Sequence, residues 1–305
     1  MTYSNRLHHA TTEISSELFL SKNAAAWPRG EARFLPILVP VSENIEHLEQ
    51  LVEGLLAMDN LNKTMVVFSQ EGDSREIEYV IRNIPARMNA LYLHRSKPSF
   101  SITSLFATRW FPSPGNMEFL LSFAFDSMKA PGAIVLQSDL LPSTDMYDYF
   151  EWSFRTILQN PSFSNVLSIN GFNKDPYTLG DLYRLTPDRF KPRGWCISAE
   201  KWPLLRGQWA AAGNWGYNIE HNVRIPYHMV SLTPMVARVR NVRKPFPDLP
   251  ELFTADDAPS PNETRRISYE QEEPYLVMSR YAKLAVKGFR YPTRNSEFGI
   301  FRHEY

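Results

Sequence analysis

Residues 132–150 read GAIVLQSDLLPSTDMYDYF, and they combine a buried strand, an acidic residue and the start of a helix. The apolar run at 133–136 follows Pro131-Gly132 and is typical of a short buried strand. Asp139 stands just past that strand, and a helix is predicted from Asp145 onward. In open α/β sheets, ligands bind beyond the carboxyl ends of the strands. Asp139 is therefore placed either to hold a metal ion and its phosphate or, alternatively, to cap a helix or a turn.

Strand and helix patterns alternate around this stretch. The order predicts an α/β fold in which a mixed, mostly parallel sheet is flanked by helices. The aromatic, Gly- and Pro-containing sequence that follows predicts a loop-rich C-terminal part. The predicted strands are 34–41, 64–68, 89–93, 133–136, 166–169 and 227–232, and the predicted helices are 45–56, about 77–84, 116–128, 145–159 and 199–209. The prolines of the first strand suit its ends better than its middle.

Composition excludes several classes of protein. The 305 residues include 33 basic and 33 acidic side chains, so the zero net charge provides no overall attraction to nucleic acid or to an anionic membrane. The single cysteine, Cys196, cannot form an intramolecular disulfide and is expected to be a buried small side chain. There is no apolar run of about 18 residues and no signal-peptide core. We therefore expect a soluble, cytoplasmic protein with no membrane partner and leave its oligomeric state open.

Several motifs resemble, in order, those of the eukaryotic N-acetylglucosaminyltransferase I family. They are the strand and helix from 36 onward, VFSQEGD at 67–73, IVLQSDL at 134–140 with Pro142 and Tyr149-Phe150 downstream, LYR at 182–184, GW at 194–195 and KW at 201–202. The resemblance covers roughly residues 34–240. It implies an inverting glycosyltransferase with the Rossmann-like GT-A fold, a nucleotide-sugar donor and a Mn²⁺ ion, for which Mg²⁺ is a substitute.

The resemblance assigns four residues to the donor site. Asp139 matches the metal-binding acid of the family motif, and Glu71 matches the acid that contacts uracil or ribose. Ser138 stands where the family has a ribose-binding aspartate, and Gln137 stands where it has a glutamate. Because one carboxylate replaces three acids, we expect the metal to be weakly held or dispensable.

The resemblance leaves the catalytic base less well matched. The family base is an aspartate in a Trp-Asp-Asp-Trp segment, whereas residues 215–218 read WGYN and contain no acid. Glu220 is the nearest candidate base, and His221 is a poorer one. Arg109, in the long irregular segment 97–114, is a candidate clamp for the diphosphate, with a surface salt bridge as the alternative.

The expected reaction moves a hexose or N-acetylhexosamine from a UDP-sugar to a hydroxyl group. The acceptor is a glycan, a small molecule or, less favoured by the neutral charge, a hydroxylated base in DNA. The alternative is a catalytically reduced GT-A protein that acts as a binding module or scaffold. Two further features stay open: Trp195 and Trp215 either stack on sugar rings or pack in the core, and the basic cluster of Arg238, Arg240, Arg243 and Lys244 either binds phosphate or forms a solvated surface.

The sequence divides into three expected parts. Residues 1–30 form an N-terminal extension, and residues 31–242 form the GT-A domain, with a nucleotide-sugar half at about 31–142 and an acceptor half at about 143–242. Residues 243–305 are Pro-rich and acidic at first, then basic and aromatic, and we expect a linker followed by a wrapping tail.

Overall fold

A computed structural model describes the backbone of residues 19–20 and all atoms of residues 32–41, 44–95, 112–173, 185–209, 214–234 and 237–242. Within these ranges the chain forms one nine-stranded sheet and one two-stranded sheet. The strands are β1 Phe19–Leu20, β2 Ile37–Val41, β3 Val66–Glu71, β4 Ala90–Arg95, β5 Gly132–Val135, β6 Leu140–Pro142, β7 Val166–Asn170, β8 Leu185–Asp188, β9 Trp195–Ser198, β10 Val230–Pro234 and β11 Val239–Asn241.

The described helices connect these strands. They are α1 Ile45–Leu56, α2 Arg75–Arg82, α3 Pro114–Ser122, α4 Met146–Ser153, α5 Trp202–Gly207 and α6 Trp215–Asn218. Three of them continue into π-helical turns, at Phe123–Ser127 after α3, Phe154–Leu158 after α4 and Ile219–Arg224 after α6. Short 3₁₀ turns lie at Leu61–Lys63, Pro161–Phe163 and Ala199–Lys201.

The large sheet has the strand order β1-β4-β3-β2-β5-β9-β7-β10-β8. Strands β2, β3, β4, β5, β7 and β10 run in one direction, and β1, β8 and β9 run in the other. The predicted α/β class, with a mixed and mostly parallel sheet flanked by helices, is confirmed. β1 adds an edge strand from the segment that the sequence suggests is an N-terminal extension.

The helices form a layer on each face of the sheet. One apolar cluster joins α1, α2 and α4 to the residues of the first face, including Val39, Phe68 and Ile134. A second cluster joins α3, α5 and α6 to the opposite face, including Val67 and Val135. Because side chains alternate across a strand, the continuous apolar runs of β2, β3 and β5 supply both clusters.

Helix α1 has the bounds that its local sequence signals predict. Leu48, Leu51 and Leu55 recur at helical spacing and are buried against the sheet. The Asn44 side chain accepts a hydrogen bond from the backbone N–H of His47 at 3.0 Å. An N-cap of this kind contributes about 1 kcal/mol. The cap fixes the start of α1 directly beyond the carboxyl end of β2.

Pro36 directly precedes β2 and Pro40 is its next-to-last residue, so both prolines lie near the ends of the strand, as expected. The carbonyls of Pro36 and Leu38 accept N–H groups from the chain of β5. Since alternate residues of a parallel strand face opposite neighbours, the nitrogen of Pro40 also faces β5. Proline has no N–H, so the ladder between β2 and β5 ends at the pair Leu38–Val135. The chain after β5 therefore leaves the sheet just before Gln137.

Several element bounds differ from those predicted. β3 continues through Ser69, Gln70 and Glu71, so Glu71 is a strand residue and not part of the following turn. The helices predicted at 116–128 and 145–159 change to π-helical turns after Ser122 and Ser153. Strands β6, β8, β9 and β11 are three or four residues long and carry no periodic signal that sequence reasoning could use.

Within the described ranges, each helix is too short or too polar to cross a membrane. The expected wrapping tail at 243–305, most of the expected N-terminal extension and the long irregular segment at 97–111 lie outside the described residues.

Candidate functional site

The strand order reverses between β2 and β5. Strands β2, β3 and β4 follow one another outward in one direction, whereas β5 lies on the opposite side of β2. Helices α1 and α2 cover one face of the sheet, and α3 covers the other. In open α/β sheets, ligands bind at such a switch point, in the crevice beyond the carboxyl ends of the strands. Residues 137–139 lie in the chain that leaves β5 at this point.

The segment Gln137-Ser138-Asp139 is almost fully buried. Asp139 is 6% exposed, and its carbonyl accepts the N–H of Val242 at 2.8 Å. Gln137 is 3% exposed, and its Nε2 has no hydrogen-bond partner among the described residues. An unpaired buried donor costs about 1–3 kcal/mol, so Gln137 offers an N–H group that a ligand oxygen can satisfy.

Glu71 lies at the carboxyl end of β3 and binds Arg95 at the end of β4. Glu71 Oε1 accepts a hydrogen bond from Arg95 Nη1 at 3.0 Å. Both side chains are partly exposed. The N-terminus of α3 lies against this pair, since a Cβ on Gly115 would come within 2.5 Å of Arg95 Nη1. One strand, β2, separates β3 from β5, so the two strands lie roughly 10 Å apart.

Arg95 is a site residue that sequence reasoning missed. The sequence did contain a clue to Arg95: it ends β4, the next strand along the chain after β3, which ends at Glu71. Parallel strands place their carboxyl ends at one edge of the sheet, so the two side chains had to be neighbours if β3 paired with β4. The predicted diphosphate clamp, Arg109, lies outside the described residues.

Arg238 is buried, which corrects the expectation of a solvated basic surface at this position. Its Nε donates to Asp145 Oδ2 at 2.8 Å, and the two side chains are 0% and 4% exposed. Asp145 occupies the N-cap position of α4 without making a side-chain capping bond. Asp145 is instead held in a buried ion pair with Arg238.

Glu220 lies in the π-helical turn after α6, and both of its oxygens are bound. Arg224 Nε donates to Oε2 at 2.5 Å, and Arg224 Nη2 donates to Oε1. The backbone N–H of Phe190 also donates to Oε2, at 2.9 Å. These contacts tie the turn after α6 to the loop before β9. Oε2 accepts two of these bonds and Oε1 accepts one, so an acceptor hydroxyl would bind the remaining lone pair of Oε1 or replace one of the three donors.

The two tryptophans of the predicted motifs are core residues. Trp195 and Trp215 are fully buried, with ring centroids 6.0 Å apart, and Phe190 packs edge-on against both. Of the two open roles, core packing therefore agrees with the structure, and stacking of a sugar on these faces does not. Cys196 is buried as expected, and burial raises the pKa of its thiol, so it is not an activated nucleophile.

The side chains available as metal ligands suit a cation that is shared with a substrate. The described residues contain no group of three or more His, Cys, Asp or Glu side chains that could form a protein-only metal site. A Mg²⁺-like ion is commonly bound by one or two carboxylates together with substrate phosphates and water. Asp139 supplies one carboxylate at the switch point, so the residues present fit a metal that arrives with a diphosphate.

No protein-family model matches the sequence. Among solved structures, the chain is similar to the mannosyltransferase PcManGT from Pyrobaculum calidifontis in complex with GDP-Man and Mn2+, at 12% identity over 66% of this chain and 53% of that chain, with a TM-score of 0.39. It is also similar to S. aureus TarS 1-349, at 10% identity over 68% of this chain and 59% of that chain, with a TM-score of 0.44. The same fragment in complex with UDP-GlcNAc gives 9% identity and the same score over 69% and 59% of the two chains. The chain spans less than two thirds of each of these structures, and similarities this low do not assign a family.

Proposed function

We propose that this protein is an inverting glycosyltransferase of the GT-A fold. It transfers a hexose or an N-acetylhexosamine from a nucleotide sugar, with a UDP-sugar as the first candidate, to a hydroxyl acceptor. The observation that carries the proposal is the switch point between β2 and β5, because Gln137 and Asp139 both lie in the chain that leaves β5 there.

Three chain features support binding of a nucleotide diphosphate at this crevice. Glu71 is an acceptor suited to ribose hydroxyls or an imide N–H, and Arg95 beside it is a donor suited to a carbonyl or phosphate oxygen. Gln137, in the chain that leaves β5, has a buried Nε2 with no hydrogen-bond partner among the described residues. Asp139 would hold Mn²⁺ or Mg²⁺ together with the diphosphate. When bound, such an ion neutralises the charge that develops on the leaving nucleotide.

We propose Glu220 as the base that accepts the proton of the acceptor hydroxyl. General-base assistance contributes about 10²–10⁴-fold to rate, so an inverting enzyme depends on such a group. Arg224 and the Phe190 N–H hold the Glu220 carboxylate in place with three donors, two on Oε2 and one on Oε1. The acceptor hydroxyl would use the remaining lone pair of Oε1 or displace one of these donors.

The burial of Arg238 bears on the choice of acceptor. It removes one of the cations from the basic cluster that would otherwise contact the phosphates of DNA. We therefore propose a glycan or a small molecule as the acceptor ahead of a hydroxylated DNA base.

A binding module without catalysis is the second candidate. The observation that favours it is that three donors from Arg224 and Phe190 already bind the Glu220 carboxylate. The reduced motif at 137–139, with one acid, agrees with a protein that retains nucleotide binding and has lost transfer. Both candidates require the same donor crevice and differ in turnover.

A panel of nucleotide sugars tests the proposal. Thermal stability and donor hydrolysis would be measured with each donor, with and without Mn²⁺, for the wild type, Asp139→Ala and Asp126→Ala. Asp126 is the matched control, because it is an acid paired with Arg206 near the opposite edge of the sheet. Stabilisation of the wild type and the control, but not of Asp139→Ala, is expected. No stabilisation by any donor would reject the proposal, and stabilisation without any turnover would favour the binding module.

A further inference from the structure

We infer that Arg238 is a positioning residue that fixes the backbone of Asp139 at the donor crevice. The inference rests on the proposed function for the meaning of that position. It concerns residues 238–242, called the brace here, which run from the end of β7 to the segment that follows β5.

Arg238 anchors the start of the brace in a buried polar network. Asp145 accepts the Arg238 Nε–H through Oδ2 at 2.8 Å and the Ser143 hydroxyl through Oδ1 at 2.6 Å. The guanidinium lies over the ring of Tyr149, with its carbon 5.1 Å from the ring centroid. The Tyr149 hydroxyl donates to the carbonyl of Asn170 at 2.9 Å, and burial raises its pKa and keeps it protonated.

Backbone bonds connect this anchor to both sides of the crevice. The N–H of Arg238 donates to the Gly171 carbonyl at 2.7 Å, just past β7, and the Arg238 carbonyl accepts the Ser143 N–H at 2.8 Å. β11 then pairs antiparallel with β6. At the end of the brace, the N–H of Val242 donates to the carbonyl of Asp139 at 2.8 Å.

The brace matters because β2 no longer holds the chain at this point. The ladder between β2 and β5 ends before Pro40, so the segment from Gln137 onward has left the sheet. The Val242 N–H, which lies outside that segment, donates a hydrogen bond to the backbone carbonyl of Asp139. Because Arg238 fixes the start of the brace, it determines where Val242 lies at the other end.

A buried ion pair often contributes little net stability to a fold. Its desolvation cost commonly cancels its Coulomb energy, and an apolar pair of similar volume is often as stable. A guanidinium and a carboxylate do, however, meet in a defined geometry that apolar side chains do not impose. We therefore assign the pair between Arg238 and Asp145 to positioning rather than to stability.

The test replaces the buried pair and measures the Asp139 segment directly. The double variant R238M/D145L removes both charges together, so that neither is left unpaired. The matched control is R206M/D126L, which removes an ion pair on the other face of the sheet. Hydrogen exchange of peptides covering 139–142 and 239–242 is compared with exchange of β3. Binding of UDP with Mn²⁺ is compared with binding of uridine, which has no diphosphate.

We expect R238M/D145L to fold, with exchange of the two brace-linked peptides faster by about tenfold and exchange of β3 unchanged. Removal of groups that orient a metal ligand typically weakens metal binding about 10–100-fold, so we expect Mn²⁺-dependent UDP affinity to fall by about tenfold. Uridine affinity and the control variant should match the wild type. A merely structural pair would leave the ratio of UDP to uridine affinity unchanged.

Two results would overturn the inference alone: unchanged exchange at 139–142, or unchanged UDP affinity in R238M/D145L when Asp139→Ala loses it. A wild type that binds neither UDP nor uridine would instead reject the proposed function, and the inference with it. If the double variant fails to fold, Val242→Pro decides the question, because it removes the N–H that reaches Asp139 and leaves the buried pair intact. The UDP affinity of Val242→Pro should fall while its uridine affinity is retained. A UDP affinity equal to that of the wild type would overturn the inference.

Discussion

Asp139 matches an acid of the family motif, whereas Glu220 is only the acid nearest to a segment that lacks one, and the fold holds the two acids differently. Asp139 follows a strand at the switch point of the sheet, where its position is set by topology and by the brace. Glu220 lies in a helical turn, where its position is set by an ion pair with Arg224 four residues later and by the Phe190 N–H. Sheet topology therefore places Asp139 beyond a strand end, whereas side-chain contacts place Glu220, and variants of the two acids test whether this difference extends to function.

Removing the carboxylate of Asp139 should have the largest effect. A bound cation supplies several kcal/mol of stabilisation to the developing charge, so we expect Asp139→Ala to lower transfer by about 10³-fold. Its fold should be retained, because the bond that the brace makes to this residue uses the backbone carbonyl. Turnover of the preferred donor and circular dichroism check these two statements. Full activity in Asp139→Ala would remove the distinction between the two acids.

The Glu220→Gln variant separates a base from a structural tether. As a base, Glu220 should contribute at least about 10²-fold to kcat, with little change in the KM for the donor. As a tether, its loss leaves the buried Arg224 uncompensated and should cost about 3 kcal/mol of unfolding free energy. We expect both effects, measured by steady-state kinetics and urea unfolding. Retention of full transfer activity would mean that the base lies elsewhere.

Gly194, directly before β9, tests how tightly Val239 of the brace packs against the sheet. Gly194 has a φ of +60°, and an added Cβ would lie 2.6 Å from the side chain of Val239. We expect Gly194→Ala to lose about 2 kcal/mol of stability, because a left-handed alanine costs about 1–2 kcal/mol before any clash. Gly207→Ala is the control, since its Cβ would meet no atom within 4 Å. Equal unfolding midpoints for the two variants would contradict the close approach of Val239.

Glu71→Gln should have the smallest effect on the donor site. A hydrogen bond to a charged group contributes about 1.5–3 kcal/mol, so we expect uridine affinity to fall by about tenfold. Glu78→Gln is a matched control, because Glu78 forms an exposed ion pair with Arg82 away from the crevice. Isothermal titration with uridine compares the two. Weaker uridine binding in both variants would indicate an effect of the lost negative charge and not a direct contact between Glu71 and uridine.

Local signals predicted much of the fold. The bounds of α1 follow from the helical spacing of its apolar residues and from the Asn44 cap. Both signals come from residues that are close together in sequence. The carboxyl-end location of Asp139 follows from a four-residue apolar run and its flanking Gly. The order of strands and helices up to β5 was sufficient to predict the parallel core.

Long-range contacts account for what could not be predicted. Arg238 and Asp145 are 93 residues apart, and each has a plausible local role as a surface cation or a helix-dipole partner. β6 and β11 are three residues each, so only their pairing across the chain defines them as strands. The ion pair of Glu220 with Arg224 was visible as i, i+4 spacing on a helix, but its burial depended on the loop at Phe190.

Equilibrium dialysis of labelled UDP with and without Mn²⁺ decides whether Asp139 shares a cation with the donor, using the wild type, Asp139→Ala and Asp126→Ala. If the crevice at the switch point shares a cation between Asp139 and a diphosphate, Mn²⁺ should tighten UDP binding by at least about tenfold in the wild type and in Asp126→Ala. The same addition should have no effect on Asp139→Ala. An equal Mn²⁺-dependent gain in Asp139→Ala would contradict the assignment of this crevice as the donor site.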